Sequence, residues 1–398
     1  MNRYQEIEIQ RFSTAVRENN YLICYADKYF EVNSLVADLI QTLQSHENED
    51  DGITDFCKKK EGKYSKEYIK EVIKRTILPI LERKHFEKEQ MFIYQKELFT
   101  SSAIDKLSDV CRFLFKKNCL IFVFLLAMVL DILFITTTED LLEFNNQITV
   151  YTVMGLLLFI VSSSFFHEIG HASACKHYGI KHGGVGFGLY LNIPVLYTDV
   201  TGIWRLNRLQ RCVVNLAGVY FQCFIMLFLM VLFYLTKADI FRYMLLTMNL
   251  GFIMTLNPFF KFDGYWIASD LMGIPNLKVR AKEYFYYLYA RIRKSEIPGK
   301  PYFLQISRKS RYFFLGYAIL VNLFLGYYFF YIIPMFIYNF ACSFPDEVEQ
   351  LILYLSNNMA PPFALLRNIG MQLIFLGLIS YFLANLLRPI IKRYFRHA

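Results

Sequence analysis

The sequence predicts an all-α polytopic membrane protein of about six transmembrane helices, with a small cytoplasmic α+β domain at its amino terminus. Three observations lead there. Of 398 residues, 55% are hydrophobic and only 19% charged, which excludes a disordered chain and an ordinary soluble enzyme. The charge is segregated: residues 1–118 hold 20 Lys/Arg and 20 Asp/Glu, leaving 37 charges for the rest of the chain. From Cys119 onward, apolar runs recur that approach the roughly 20 residues needed to cross a bilayer.

These shifts divide the chain into a cytoplasmic α+β domain over 1–90, a linker to the membrane over 91–118 and a membrane domain over 119–398. The start, MNRYQEIEIQRF, has no apolar stretch behind a basic head, so no cleaved secretion signal is expected. In the first domain, NYLICYA and KYFEV read as short strands. SLVADLIQTLQS reads as an amphipathic helix and KYSKEYIKEVIKRTILPILERK as a longer one.

Spans are expected at 119–136, 148–166, 212–236, 243–260, 312–334 and 368–387. The first carries one acid, Asp131, and the fifth should end near Pro334 because proline breaks helical hydrogen bonding. The connecting segments set the orientation. Segments 171–211, 261–311 and 388–398 contain 5, 11 and 4 basic residues, whereas 137–147 and 339–362 contain none and three acids each. Both termini are therefore expected in the cytoplasm. The formal net charge of +9 belongs to the membrane part, so it speaks of topology and not of nucleic acid. The ten basic residues of 278–311, interleaved with YFYYLY, read as a cytoplasmic segment lying on anionic lipid. Eight cysteines without a CxxC pair read as reduced, structural thiols.

One motif carries chemistry: His167-Glu168-Ile169-Gly170-His171. On a helix, histidines four apart project from one face and can bind one metal ion, while Glu168 faces the ion's open side and can take a proton from water. Ionisable groups at membrane depth are costly, which makes mere packing a poor account of them. A two-histidine zinc site wants a third protein ligand. The next acids are Asp199, Asp239 and Asp263. His167 lies nineteen positions past 148 and Asp263 nineteen past 244, on spans that cross in the same direction, so both reach about 28 Å from the outer face. Asp239 falls at the opposite face, and Asp199, in a loop, remains a rival. Cys175 is eight residues past His167 and could not reach the same ion without unwinding the helix. His177 and His182 read as surface histidines. The glycine-rich run 183–188 lacks the GK[ST] of a phosphate loop. FGLYLNIPVLYTDV reads either as a membrane-proximal hairpin whose edge could pair with an extended substrate, or as a space-filling loop.

At three places the sequence resembles the site-2 protease family of intramembrane zinc metalloproteases: HEIGH at the inner end of a span, RCVVNLAGVYFQ opening the next, and LNPFFKFDGYW closing the one after. The resemblance covers roughly 145–275, the core of the membrane domain. It implies one zinc ion held by His167, His171 and Asp263, with Glu168 as general base. Many members carry asparagine eight residues before the aspartate. Here that position is Thr255, and Asn257 six before it is the candidate substrate-binding residue, with Pro258 in its usual place. NPFFKFDGYW followed by IASDLMGIPNL looks more like bacterial peptide zinc metalloproteases of peptide-maturation and export systems. The first domain is similar to small winged-helix domains of the PqqD-like type that bind leader peptides by strand addition.

The resemblance implies a multi-pass enzyme of the bacterial cell membrane that cleaves a peptide or a single-span membrane protein near the cytoplasmic face, with a peptide exporter as a further partner. Two other readings remain open: regulated proteolysis of a membrane-anchored signalling protein, and a non-proteolytic peptide-binding or immunity protein. Retention of Glu168 beside both histidines argues against the latter. An iron oxygenase or desaturase would need more histidine pairs than HEIGH supplies.

Overall fold

An apolar run in lipid can satisfy its backbone polar groups only within itself, so long hydrophobic stretches become helices. The computed structural model describes residues 3–394 except 17–19, 27, 83–91, 93, 140, 142–149, 191–192 and 295–300. Among these, five helices are long and apolar enough to cross a membrane. The described residues fall into two units, one holding nearly everything up to Phe314 and the other the chain from Leu315 onward.

The chain opens with an antiparallel meander of β1 (Glu8–Phe12), β2 (Asn20–Tyr25) and β3 (Lys28–Asn33), in which Glu8 faces Cys24 and Asn20 faces Asn33. Asn33 then caps α1 (Ser34–Gln44) by accepting from the Val36 amide, and α2 (Glu49–Lys59) follows with acids in its first turn and lysines in its last. The second expected helix is α3 (Lys66–Val72), a π turn (Ile73–Ile77) and α4 (Leu78–Glu82); its last two expected residues, 83 and 84, lie outside the described residues. The π turn precedes Pro79, which has no N–H to continue the regular ladder. Ile23, Leu39, Ile40, Ile53, Phe56, Ile69 and Ile77 close the core between sheet and helices. Strand β1 and helix α2 were not expected. The first is too short for its alternation to stand out, and the second is charged and holds a glycine.

Residues 95–115, within the segment 91–118 expected as a linker, are structured. They supply β4 (Gln95–Phe99), α5 (Ser101–Cys111) and a 3-10 turn (Arg112–Phe115). The first expected span is α6 (Lys117–Thr137), where Asp131 accepts a 2.9 Å hydrogen bond from Asn249. The second is α7 (Val150–His177), which continues unbroken through HEIGH; the start expected at 148 lies outside the described residues. Then come β5 (Val185–Tyr190) and β6 (Ile193–Thr198), so the hairpin reading of this stretch holds. The strand order is β4-β5-β6: β4 pairs antiparallel with β5, Gln95 opposite Gly188, and all five of its residues are exposed.

A 3-10 turn (Thr201–Arg205) leads to α8 (Arg208–Thr236), which starts on a reciprocal cap between Asn207 and Gln210. The stretch expected as the fourth span is α9 (Asp239–Thr255), seventeen residues long. It ends eight residues before Asp263, which instead opens a separate helix, α10 (Asp263–Met272). The break falls at Asn257-Pro258. Helices α6, α7, α9 and α10 all pack on α8, making it the centre of this unit. The basic segment forms α11 (Leu277–Ile292) and α12 (Tyr302–Gln305).

Pro334 does not end the fifth expected span. Beyond α13 (Arg308–Tyr327), whose residues from Leu315 belong to the second unit, a π turn (Tyr328–Ile332) leads into α14 (Ile333–Ser356), with Pro334 in the first turn of α14. Most of the expected loop 339–362 is therefore helical. Gln372 of α15 (Phe363–Tyr394) donates to Ser343 and Glu347 of α14.

Candidate metal centre

The spacing of HEIGH does what helix geometry requires: His167 and His171 share the face of α7 that meets α8, and both are buried, as is Glu168. Each ring is fixed by its outer nitrogen. His171 Nδ1 lies 2.7 Å from the Val214 carbonyl and must donate to it. His167 Nδ1 lies 3.2 Å from Gln222 Oε1, and Gln222 spends its amide N–H on Ser163 Oγ at 2.9 Å, so His167 Nδ1 donates as well. In the neutral rings, both Nε2 atoms therefore turn lone pairs inward.

The third corner comes from α10. Asp263 Oδ2 lies 3.0 Å from His167 Nε2 and 3.3 Å from His171 Nε2, and the two Nε2 atoms are 3.0 Å apart. A tetrahedral zinc with bonds of about 2.0–2.1 Å would separate its ligand atoms by about 3.3 Å, so the triangle has the size of one face of such a site. Asp263 Oδ2 is buried and has no hydrogen-bond donor among the described residues. A single proton could bridge one edge of the triangle but not all three. A cation placed among three acceptors would meet them all, and the donor set of two imidazoles and one carboxylate suits a divalent metal. A carboxylate oxygen of Glu168 and a ring nitrogen of each histidine lie within 4.8 Å of one another, so this His-Glu-His group can hold a metal ion with Glu168 at its side.

Two glycines make the approach possible. A Cβ on Gly218 of α8 would enter the His167 ring, so only glycine lets the helix pass beneath it. A Cβ on Gly264 would run into the Leu256 carbonyl, where the chain turns back to start α10. Just before that turn, the Lys261 amide donates to Tyr190 Oη of β5 at 3.1 Å.

The rivals for the third ligand are engaged elsewhere. Asp199 Oδ1 accepts from the amide and hydroxyl of Thr201, the first residue of the 3-10 turn. Cys175 is buried in the apolar core. Asn257 Oδ1 accepts from the Phe259 amide at 2.8 Å and shapes the break before α10. His177 is exposed as expected. His182 is not a surface group: its side chain is 1% exposed, with Nδ1 donating to the Gly183 carbonyl. Sequence reasoning did not reach Gln222, Ser163, Val214 or Gly218 as supports. The signal available was a glutamine and a serine inside apolar spans.

Comparison with known proteins gives no match to a family model, to a curated protein or to a solved structure.

Proposed function

We propose that the protein is an intramembrane zinc metalloendopeptidase of the site-2 protease type, cleaving a peptide or membrane-associated substrate near the cytoplasmic face of a bacterial membrane in peptide maturation or export. The observation that carries this reading is the convergence of three lone-pair atoms from His167, His171 and Asp263 beside the Glu168 carboxylate. A zinc ion held there would acidify a water and polarise the scissile carbonyl. Glu168 takes the proton of the attacking water and later delivers it to the leaving amine. Gln222 and the Val214 carbonyl keep both imidazoles in the tautomer that binds the ion.

The substrate backbone must be extended before attack. The sheet β4-β5-β6 beside α7 offers edges to which an extended chain could add, and Thr198 of β6 reaches the Glu168 carbonyl at 3.4 Å. The meander β1–β3 with its helices is compatible with a leader-binding role for residues 1–90.

Glu168→Gln provides the test. The amide keeps its place beside the site but cannot accept a proton, so zinc content should stay at one ion per chain while cleavage of a candidate peptide falls by about 10²–10⁴-fold. Cleavage near the wild-type rate would remove Glu168 from the chemistry.

A further inference from the structure

Helix α8, which orients both histidines, also grips the helix that carries the carboxylate. Arg211, in the first turn of α8, is one of the largest fully buried side chains. Its Nε donates to Asp270 Oδ1 at 2.6 Å and its Nη1 to the Leu206 carbonyl at 3.0 Å, while Asn215 Nδ2 donates to Asp270 Oδ2 at 3.0 Å. Asp270 lies seven residues, about two turns, past Asp263 on α10, so the two carboxylates stand on one face. Fixing Asp270 therefore fixes both the rotation of α10 and the height at which Asp263 enters the site.

The amino-terminal segment completes the clamp. The Arg211 guanidinium carbon sits 5.2 Å from the ring centre of Phe12, the last residue of β1, and 5.3 Å from that of Trp204. Beyond β1, the Ala15 amide donates to the carbonyl of Gly273, just past the end of α10, at 2.8 Å.

We propose that Arg211, with Asn215, is the positioning residue for the third metal ligand, holding Asp263 in register by pinning Asp270, and that Phe12 makes this setting depend on the docked amino-terminal segment. The inference rests on the metal site proposed above, and its test separates the two.

In the full-length protein in detergent, the zinc dissociation constant is measured by chelator competition, and the visible spectrum of the cobalt-loaded protein reports the ligand number. Wild type should bind one zinc, and His167→Ala should not; failure of either overturns the metal site itself. With that established, the double variant Arg211→Met/Asp270→Leu should bind zinc about 10–100-fold more weakly and show the weaker cobalt absorption of a lost ligand. Its thermal transition should persist, lowered only by the loss of the Asn215 amide's acceptor, because replacing both members of a buried ion pair by apolar groups is often neutral. Arg211→Lys should restore binding only in part, since one ammonium cannot reproduce the guanidinium fork. Phe12→Ala should weaken zinc binding several-fold. A double variant with wild-type zinc affinity and cobalt spectrum overturns the positioning role, and an unchanged constant in Phe12→Ala overturns the dependence on the amino-terminal segment.

Discussion

Two buried polar clusters share helix α8, and they differ in how fully their hydrogen-bonding capacity is met. Around Arg211, both oxygens of Asp270 accept and the guanidinium donates to a carboxylate and a carbonyl. Around His167, the outer ring nitrogens are satisfied, but the three inner atoms face one another with no donor for Asp263 Oδ2 among the described residues. Buried polar groups are normally paired, so a complete cluster needs nothing added, whereas an incomplete one with converging lone pairs calls for a ligand. Similar residue types in one helical core thus divide into a closed cluster and a candidate site by this difference alone.

The comparison breaks most visibly at the third ligand. Asp263→Ala should abolish stoichiometric zinc binding, whereas Asp199→Ala should leave it intact and cost about 1 kcal/mol from the lost hydrogen bonds to Thr201. The reverse outcome, read by metal analysis of the two purified variants, would move the site to the loop. Gly218→Ala gives a smaller effect. Alanine inside a helix is ordinarily favoured over glycine by about 1 kcal/mol, but here its methyl would push on the His167 ring. Overpacking of about 1–3 kcal/mol, if it falls on the bound state, corresponds to about 5- to 150-fold in zinc affinity. An unchanged affinity would show that the ring has room to retreat.

The smallest effect calibrates the comparison against solvent. Exposed Asp50 and half-buried Asp55 are held below the usual carboxylate range, Asp50 by its hydrogen bond to Lys70 and Asp55 by that to Lys59. Their ionised forms are favoured in the fold, so this stability is present above about pH 4 and is lost as acid protonates the folded carboxylates. Asp50→Asn should slightly flatten the loss of amide protection in α2 and α3, with exchange taken relative to its intrinsic rate, between about pH 5 and pH 3. A flattening as large as the loss from a core substitution would mean that this surface pair is not repaid by water as exposed pairs usually are.

Much of this protein is local information. The apolar runs had to be helices because lipid offers no backbone partners, and His167 and His171 had to share a face because they are four residues apart. Depth counting brought out Asp263, although the continuous fourth span it assumed is broken at Asn257-Pro258 and the aspartate starts a helix of its own. Tertiary structure decided the rest. Residues 95–99 are a strand because β5 lies open to them some ninety residues later. Gln222, the Val214 carbonyl and Gly218 matter because α8 crosses α7 at the histidines. Arg211 meets Asp270 across 59 residues of sequence. Periodicity and hydropathy report what a residue does within its own few turns, whereas which donor meets which acceptor is settled only when distant helices pack and water is excluded between them.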